Sequence, residues 1–356
     1  MGTCCSTTRE ELHEAQQLEN FQLNPKTKTT SFVDTTFPVT NHPNLQNGLS
    51  NEGTDISKTN GRNNLGHMPP PQIARPLNRE IPSLKENVKA LQEKLGSFVY
   101  DCPEYDDADT INLGPYELAN EAIYIGQWKF GLRHGKGRQI WKDGSIYEGY
   151  WKENMAEGKG RLIHSDSDVY EGEWKNDKAD GRGTYIHSDG AKYLGEWRDD
   201  RQEGIGEEVW PDGAMYKGMY VAGKKEGKGL FTWTDGSRYE GDFFGNNIHG
   251  YGGYTWGDGR EYFGEWKNNK MDGRGEFKWP DGRRYVGDYL EDKKHGKGEF
   301  YWPDGRIYKG GWDKGKQHGH GVYVSPSGKE KQGEWVDGKR VRWLNDDGKG
   351  DDMPRD

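Results

Sequence analysis

A tyrosine recurs every 23 residues in this chain without a single slip, at Tyr124, Tyr147, Tyr170, Tyr193, Tyr216, Tyr239, Tyr262, Tyr285 and Tyr308. Gly stands two residues later in every copy, from Gly126 to Gly310. Two further on comes an aromatic: Trp128, Trp151, Trp174, Trp197, Tyr220, Phe243, Trp266, Tyr289 and Trp312. A Gly-x-Gly follows in all nine copies, from Gly135/Gly137 to Gly319/Gly321. Most copies then give Trp or His and an Asp-Gly, as in Trp210-Pro-Asp-Gly213 and Trp279-Pro-Asp-Gly282. A fixed period of this length means stacked copies of one supersecondary unit, each burying its face against the next.

Side chains alternate across a strand, so Tyr-x-Gly-x-Trp places Tyr, Gly and Trp on one face. Gly-x-Gly-x-x-x-Trp makes a second strand with its glycines and Trp on a shared face. Asp-Gly between strands is a tight-turn signal, because Gly tolerates positive φ. Each unit reads as a hairpin, and neighbours pair edge to edge. The glycines leave hollows that neighbouring rings can fill. The predicted fold is all-β: an elongated single-layer antiparallel sheet of repeated 23-residue β-hairpins, preceded by a disordered N-terminal tether and one short helix. Two strands per copy at ~4.8 Å spacing predict an array of roughly 90–100 Å.

Gly114 and Leu118 precede Gly137 and Trp141 by 23 residues, so residues 112–121 read as a half-repeat. At the far end Lys331 takes the Tyr place while Gly333 and Trp335 survive, the mark of a terminal unit. The array is therefore assigned to residues 112–340, about nine full repeats with partial caps. Composition supports the boundary: all 14 Trp lie at or after Trp128, and 46 of 53 Gly lie after residue 120. The remaining segments are read as 1–80, tether; 81–97, short amphipathic helix; 98–111, linker; and 341–356, acidic disordered tail. Ser83-Leu-Lys-Glu86 reads as a capping box opening a helix whose stripe is Leu84, Val88, Leu91 and Leu95, ended by Gly96. Docking of that helix on the first repeats is the plainer reading, and capture of a partner the sharper one.

Net charge is −9, but residues 1–120 hold 10 basic and 16 acidic side chains, and residues 341–356 hold 3 and 5. The array is thus left at about −1, a poor polyanion binder, and no nucleic-acid partner is expected. No apolar run reaches the ~18 residues of a spanning helix, and the N-terminus lacks a secretory h-region. Three cysteines make no disulfide framework, which points to a cytoplasmic protein. Met1-Gly-Thr-Cys-Cys-Ser6 matches the myristoylation pattern at Gly2, with Cys4 and Cys5 beside it for S-palmitoylation. Stable anchoring takes two signals, and the acidic residues that follow exclude a basic patch as the second. Acylation at Gly2, Cys4 and Cys5 therefore predicts residence at the inner face of a plasma or ciliary membrane.

His134, His249, His295 and His318 share one repeat position, but adjacent copies lie roughly 9–10 Å apart, too far to share an ion. No metal and no cofactor are expected. The middle residue of Gly-x-Gly is often basic (Lys136, Lys159 and Arg182 first), which suggests a lipid-headgroup stripe. Glu148, Glu171, Glu173, Glu196, Asp242, Glu265 and Asp288 face these positions, which suggests a self-paired charge ladder instead. No nucleophile with a base, phosphate loop or carboxylate pair emerges, so an enzyme is not expected.

The pattern resembles the MORN (membrane occupation and recognition nexus) repeat, which reads roughly Tyr-x-Gly-x-Trp, His-Gly-x-Gly, Asp-Gly. His134-Gly-Lys-Gly137, His249-Gly-Tyr-Gly252, His295-Gly-Lys-Gly298 and His318-Gly-His-Gly321 match it most closely, while Tyr220, Phe243 and Tyr289 depart from the Trp. The resemblance implies a non-enzymatic scaffold that binds lipids, helical partner segments or cytoskeletal proteins. The reading is an acyl-anchored adaptor, monomeric or homodimeric, holding a protein partner through an aromatic groove. That groove is assigned to Tyr124, Trp128, Tyr147, Trp151, Tyr170, Trp174, Tyr193, Trp197, Tyr239, Tyr262, Trp266, Tyr285, Tyr308 and Trp312. A ciliary or flagellar cytoskeletal module, and direct phosphoinositide or phospholipid binding through Lys136, Lys159 and Arg182, stand as alternatives.

Overall fold

A computed structural model describes residues 74–344, and these fall into two compact bodies divided between Lys224 and Lys225. The first contains β1 (Ala74–Pro76), helix α1 (Glu86–Leu95), β2 (Ile111–Leu118), β3 (Ile123–Lys129), β4 (Leu132–Ile140), β5 (Ile146–Lys152) and β6 (Met155–Ile163). It continues through β7 (Val169–Lys175), β8 (Lys178–Ile186), β9 (Lys192–Arg198), β10 (Arg201–Val209) and β11 (Met215–Val221). These strands form an antiparallel meander, each paired with the next in sequence.

The second body, which takes all of β12 (Lys224–Thr232) but its first residue, repeats the arrangement through β13 (Arg238–Phe244), β14 (Asn247–Thr255), β15 (Glu261–Lys267), β16 (Lys270–Lys278) and β17 (Arg284–Leu290). It ends with β18 (Lys293–Tyr301), β19 (Ile307–Asp313), β20 (Lys316–Val324), β21 (Glu330–Val336) and β22 (Lys339–Trp343). The all-β expectation of repeated antiparallel hairpins is what these strands show.

Each copy uses two turns of different design. Asp-Gly closes the wider one: in residues 141–145 the Trp141 amide donates to Ser145 O at 3.0 Å, and Gly144 sits at φ +94°. The second turn lies outside the Asp-Gly pattern. Asn176 and Asp177 take φ +50° and +65°, the left-handed pair of a tight two-residue hairpin turn. Asp177 also accepts the Ala156 amide at 2.6 Å while its own amide donates to Ala156 O at 3.1 Å. Asp200 repeats this clasp on Ala179, and in the second body Asn269 does so on Ile248. Its sequence signal is Asn, Asp or Gly every 23 residues from Asn154 to Gly338.

Four boundaries move. Residues 74–80 do not belong to a tether: Ala74–Pro76 pair with Tyr116–Leu118, and Arg75 and Arg79 both bond Glu117, at 2.7 and 2.9 Å. The capping box does not form, because the helix opens after Lys85 and Glu86 becomes its first residue instead of its third. Residues 98–110 are packed against the sheet and do not form a free linker. Lys339–Trp343 form β22, paired with β21, so residues 341–343 belong to the sheet and not to the expected tail. The acylation expected at Gly2, Cys4 and Cys5 lies outside the described residues.

Helix α1 docks as its stripe predicts. Val88 is fully buried among Ile146, Ile163 and Val169, with Leu84, Leu91 and Leu95 around it. Replacing Val88 by Asp buries an unpaired carboxylate there. The expected outcome is release of α1 with an intact sheet, read as about tenfold faster tryptic cleavage after Lys94 and unchanged protection within β5–β10.

Candidate binding surface

Each strand presents two faces, and the structure gives them opposite roles. On β5, Tyr147, Gly149 and Trp151 point one way while Ile146, Glu148 and Tyr150 point the other. Tyr147 Oη donates to Tyr150 O at 3.0 Å, and its ring meets Trp151 and Trp174 edge-on at centroid distances of 5.0 and 5.2 Å. The Trp151 indole N–H donates to Gly137 O at 3.2 Å. The same ladder runs through Tyr124, Tyr170 and Tyr193 in the first body and through Tyr239, Tyr262, Tyr285 and Tyr308 in the second. Edge-on pairs of this kind contribute ~0.5–1.5 kcal/mol beyond burial.

All fourteen rings assigned to a groove are therefore buried, from Tyr124 at 0% exposed to Trp266 at 6%. The expectation of an open aromatic groove is corrected: these rings are the interior of the array. Missing side chains at the glycines let each Tyr lie flat on its own hairpin, which closes the hollow a partner would have entered. Burial pushes the phenols up, with Tyr285 and Tyr262 well above the ordinary tyrosine range.

The other face is the accessible one, and in the first repeats the chain itself occupies it. Past Gly96 the backbone runs as a strap over β4–β7. Tyr100 packs edge-on against Tyr150 at 5.4 Å, Tyr105 lies against the same ring at 5.4 Å, and the Cys102 amide donates to Tyr150 Oη at 2.9 Å. Strap carboxylates take the basic positions: Asp106 reaches Lys136 Nζ at 2.8 Å and Asp101 reaches Lys159 Nζ at 3.0 Å. Asp107 holds Lys129. Hydrogen bonds from Lys159 and Lys129 hold the Asp101 and Asp107 carboxyls below the usual range. Burial raises the Tyr100 phenol to about 12.

The headgroup stripe is corrected in the same way. Lys136 and Lys159 face carboxylates of their own chain, so a phosphate would have to displace the strap. Arg182 stands one repeat further, lining a cleft with Val99 and Leu194 where the strap no longer covers the sheet. The acidic residues opposite Gly-x-Gly do more than balance charge. Asp242, Glu265 and Asp288 accept the backbone amides of Tyr251, Arg274 and Lys297 at 2.9–3.0 Å across the bulge in each hairpin. His134, meanwhile, lies 3.5 Å from Asp107, and the described residues hold no group of three His, Cys, Asp or Glu placed to share a metal ion.

Beyond the strap the accessible face turns apolar in places. Leu194, Ile205, Met219 and Val221 are exposed in the first body, and Phe244, Tyr251 and Phe263 in the second. The Tyr251 and Phe263 rings meet edge-on at 5.2 Å, over Gly253. Nothing in the repeat pattern singles these residues out as a group. Their one sequence signal is Ile205 and Tyr251 standing where six of the other seven copies carry Lys or Arg. No helix among the described residues is long and apolar enough to cross a membrane.

Comparison with known proteins bears on the repeat alone. No curated protein matches the sequence. Among solved structures, the TCP10 domain of Danio rerio CPAP in complex with a STIL peptide shares 13% identity over 66% of this chain and 98% of that one, at a TM-score of 0.37. The Drosophila melanogaster SAS-4 (dCPAP) TCP domain with a proline-rich motif of Ana2 shares 11% over 59% and 96%, at 0.25. A streptogramin B lyase shares 11% over 64% and 86%, at 0.14. Likenesses this loose carry no argument about function. The MORN repeat profile, by contrast, matches ten consecutive segments: 124–146, 147–169, 170–192, 193–215, 216–238, 239–259, 262–283, 285–305, 308–330 and 332–341. With the period, the glycine-capped tyrosines and the hairpin meander all in place, the chain belongs to the MORN repeat family.

Proposed function

We propose that this protein is a non-enzymatic scaffold that binds a protein partner on the accessible face of its repeats and is held at a membrane by acylation of Gly2, Cys4 and Cys5. The observation that carries the binding half is the strap. A segment of polypeptide lies on that face with buried rings, backbone hydrogen bonds and ion pairs, so the surface has the chemistry to hold a chain. Further along, the same face offers uncovered apolar side chains. MORN repeats are non-enzymatic modules.

Photo-crosslinking tests the binding half. A benzoylphenylalanine in place of Phe263, on the accessible face of the full chain, is expected to capture a protein partner in cells. The same residue in place of Tyr262, on the buried face, is the control. No protein adduct at Phe263 would reject the scaffold reading.

The anchoring half rests on Met1-Gly-Thr-Cys-Cys-Ser6. One acyl chain binds membranes only marginally and two bind stably. Gly2→Ala, or Cys4→Ser with Cys5→Ser, is therefore expected to move the protein from the membrane pellet to the soluble fraction. Incorporation of a myristate analogue should disappear with Gly2→Ala alone. An unchanged pellet for the triple variant would reject the anchor.

A further inference from the structure

Across the regular ladder that follows each Gly-x-Gly, its middle residue faces one from the next Tyr-x-Gly-x-Trp strand, and in four copies the two carry opposite charge. Lys159 faces Glu173, Arg182 faces Glu196, Lys228 faces Asp242 and Arg274 faces Asp288. In the first body this ladder breaks twice. At Lys136–Tyr150 the apolar member is Tyr150, fully buried because Tyr100, Cys102 and Tyr105 of the strap lie on it. At Ile205–Met219 both members are apolar, and they are left 52% and 37% exposed.

A charged pair here would be compatible with the fold, as its neighbours show, so the apolar pair answers to no need of the hairpin. Leu194 and Val221 are exposed on the same face, and the cleft at the end of the strap connects Val99 to Leu194 and Arg182. The uncovered surface is thus continuous with the interface the strap already makes.

We infer that Ile205 and Met219, with Leu194 and Arg182, form a second docking station for an extended acidic segment of a partner protein that carries aromatic side chains. The strap supplies the chemical template. Its rings cover the apolar break, and its carboxylates, Asp101 and Asp106, meet the basic middle residues on either side. A partner segment continuing past Val99 would seat a ring over Ile205 and Met219 and bring a carboxylate to Arg182. This inference rests on the scaffold reading and names the partner class for the same face.

The probe is a fluorescein-labelled synthetic peptide with the sequence of residues 98–109 and Ser in place of Cys102, titrated into the full chain. Saturable binding is expected. It should weaken at least tenfold in Ile205→Lys with Met219→Glu, a variant that restores the charged pair of neighbouring copies and so keeps the fold. Unchanged melting of that variant confirms that it is folded. Binding that the double substitution leaves intact would place the peptide on the strap's own site and overturn the inference, as would no binding at all. Two other losses in the variant would also overturn it: of vesicle association, assigning the patch to a lipid surface, or of a dimer in sedimentation, assigning it to a second copy. A partner still captured at Phe263 while the peptide fails would sink only this inference and leave the scaffold reading standing.

Discussion

Gly160→Ala is expected to lower the stability of the array by ~3–5 kcal/mol, an effect out of proportion to one methyl group. A Cβ at Gly160 would lie 2.3 Å from Tyr147 Oη and 2.6 Å from Tyr147 Cζ. The backbone there is not left-handed, so the penalty is steric. Nor can the ring retreat. Tyr147 is fully buried, its hydroxyl is bonded to Tyr150 O, and Trp151 and Trp174 flank it edge-on. Overpacking of this kind costs ~1–3 kcal/mol, and the displaced hydrogen bond and ring contacts add ~1 kcal/mol each. Urea unfolding of the variant reads the loss directly. Gly114→Ala is the control, since a methyl group at that position would meet nothing within 4 Å, and it should change stability by less than ~0.5 kcal/mol. Removing the hydroxyl with Tyr147→Phe should recover part of the loss in Gly160→Ala, a coupling that only contacting residues show.

Lys294→Met should act in the opposite direction and stabilise the protein. Lys294 is buried, and its ammonium sits 4.5–5.2 Å from the centroids of Phe300, Trp312, Trp279 and Tyr285. Burial, helped by nearby Arg283, lowers its pKa from 10.5 to about 7. Met271 holds the equivalent position one repeat earlier and is buried there without difficulty.

The sign of the pH dependence follows from the depressed value. Between pH 7 and 10.5 the unfolded chain holds a proton at this lysine that the folded chain has released, so stability rises with pH through that window. The penalty is complete below pH 7 and gone above 10.5. At ~1.4 kcal/mol per pKa unit the gross cost is on the order of 4 kcal/mol, and the four rings return up to ~2 by attraction to the cation. Lys294→Met should therefore gain ~2 kcal/mol at pH 7, with the gain shrinking toward zero by pH 10. Thermal melts of both proteins across that range check it. A gain that does not vary with pH would mean that the folded state binds this proton as tightly as the unfolded chain does.

The hairpins were legible because everything they need is local. Tyr124-x-Gly126-x-Trp128 fixes a strand and the side of it that carries rings, and Asp143-Gly144 fixes a turn, all within a span the 23-residue period repeats nine times. The glycine hollows were legible for the same reason, since ring and glycine belong to one hairpin. The turn clasp was less so: Asn176-Asp177 carries the local conformation, but its bond to Ala156 crosses to the preceding copy.

What the sequence by itself determined is the repeat unit, its register and the two faces of each strand, because alternation and turn chemistry act over a few residues. Only the tertiary structure decided which face is inside. The choice depends on each Tyr being gripped by aromatics of its own copy and the next, a contact no single strand encodes. The tertiary structure also decided that residues 98–110 lie on the outer face. Asp101 finds Lys159 across 58 residues and Asp106 finds Lys136 across 30, and charges that far apart in a chain meet only once the sheet has placed them.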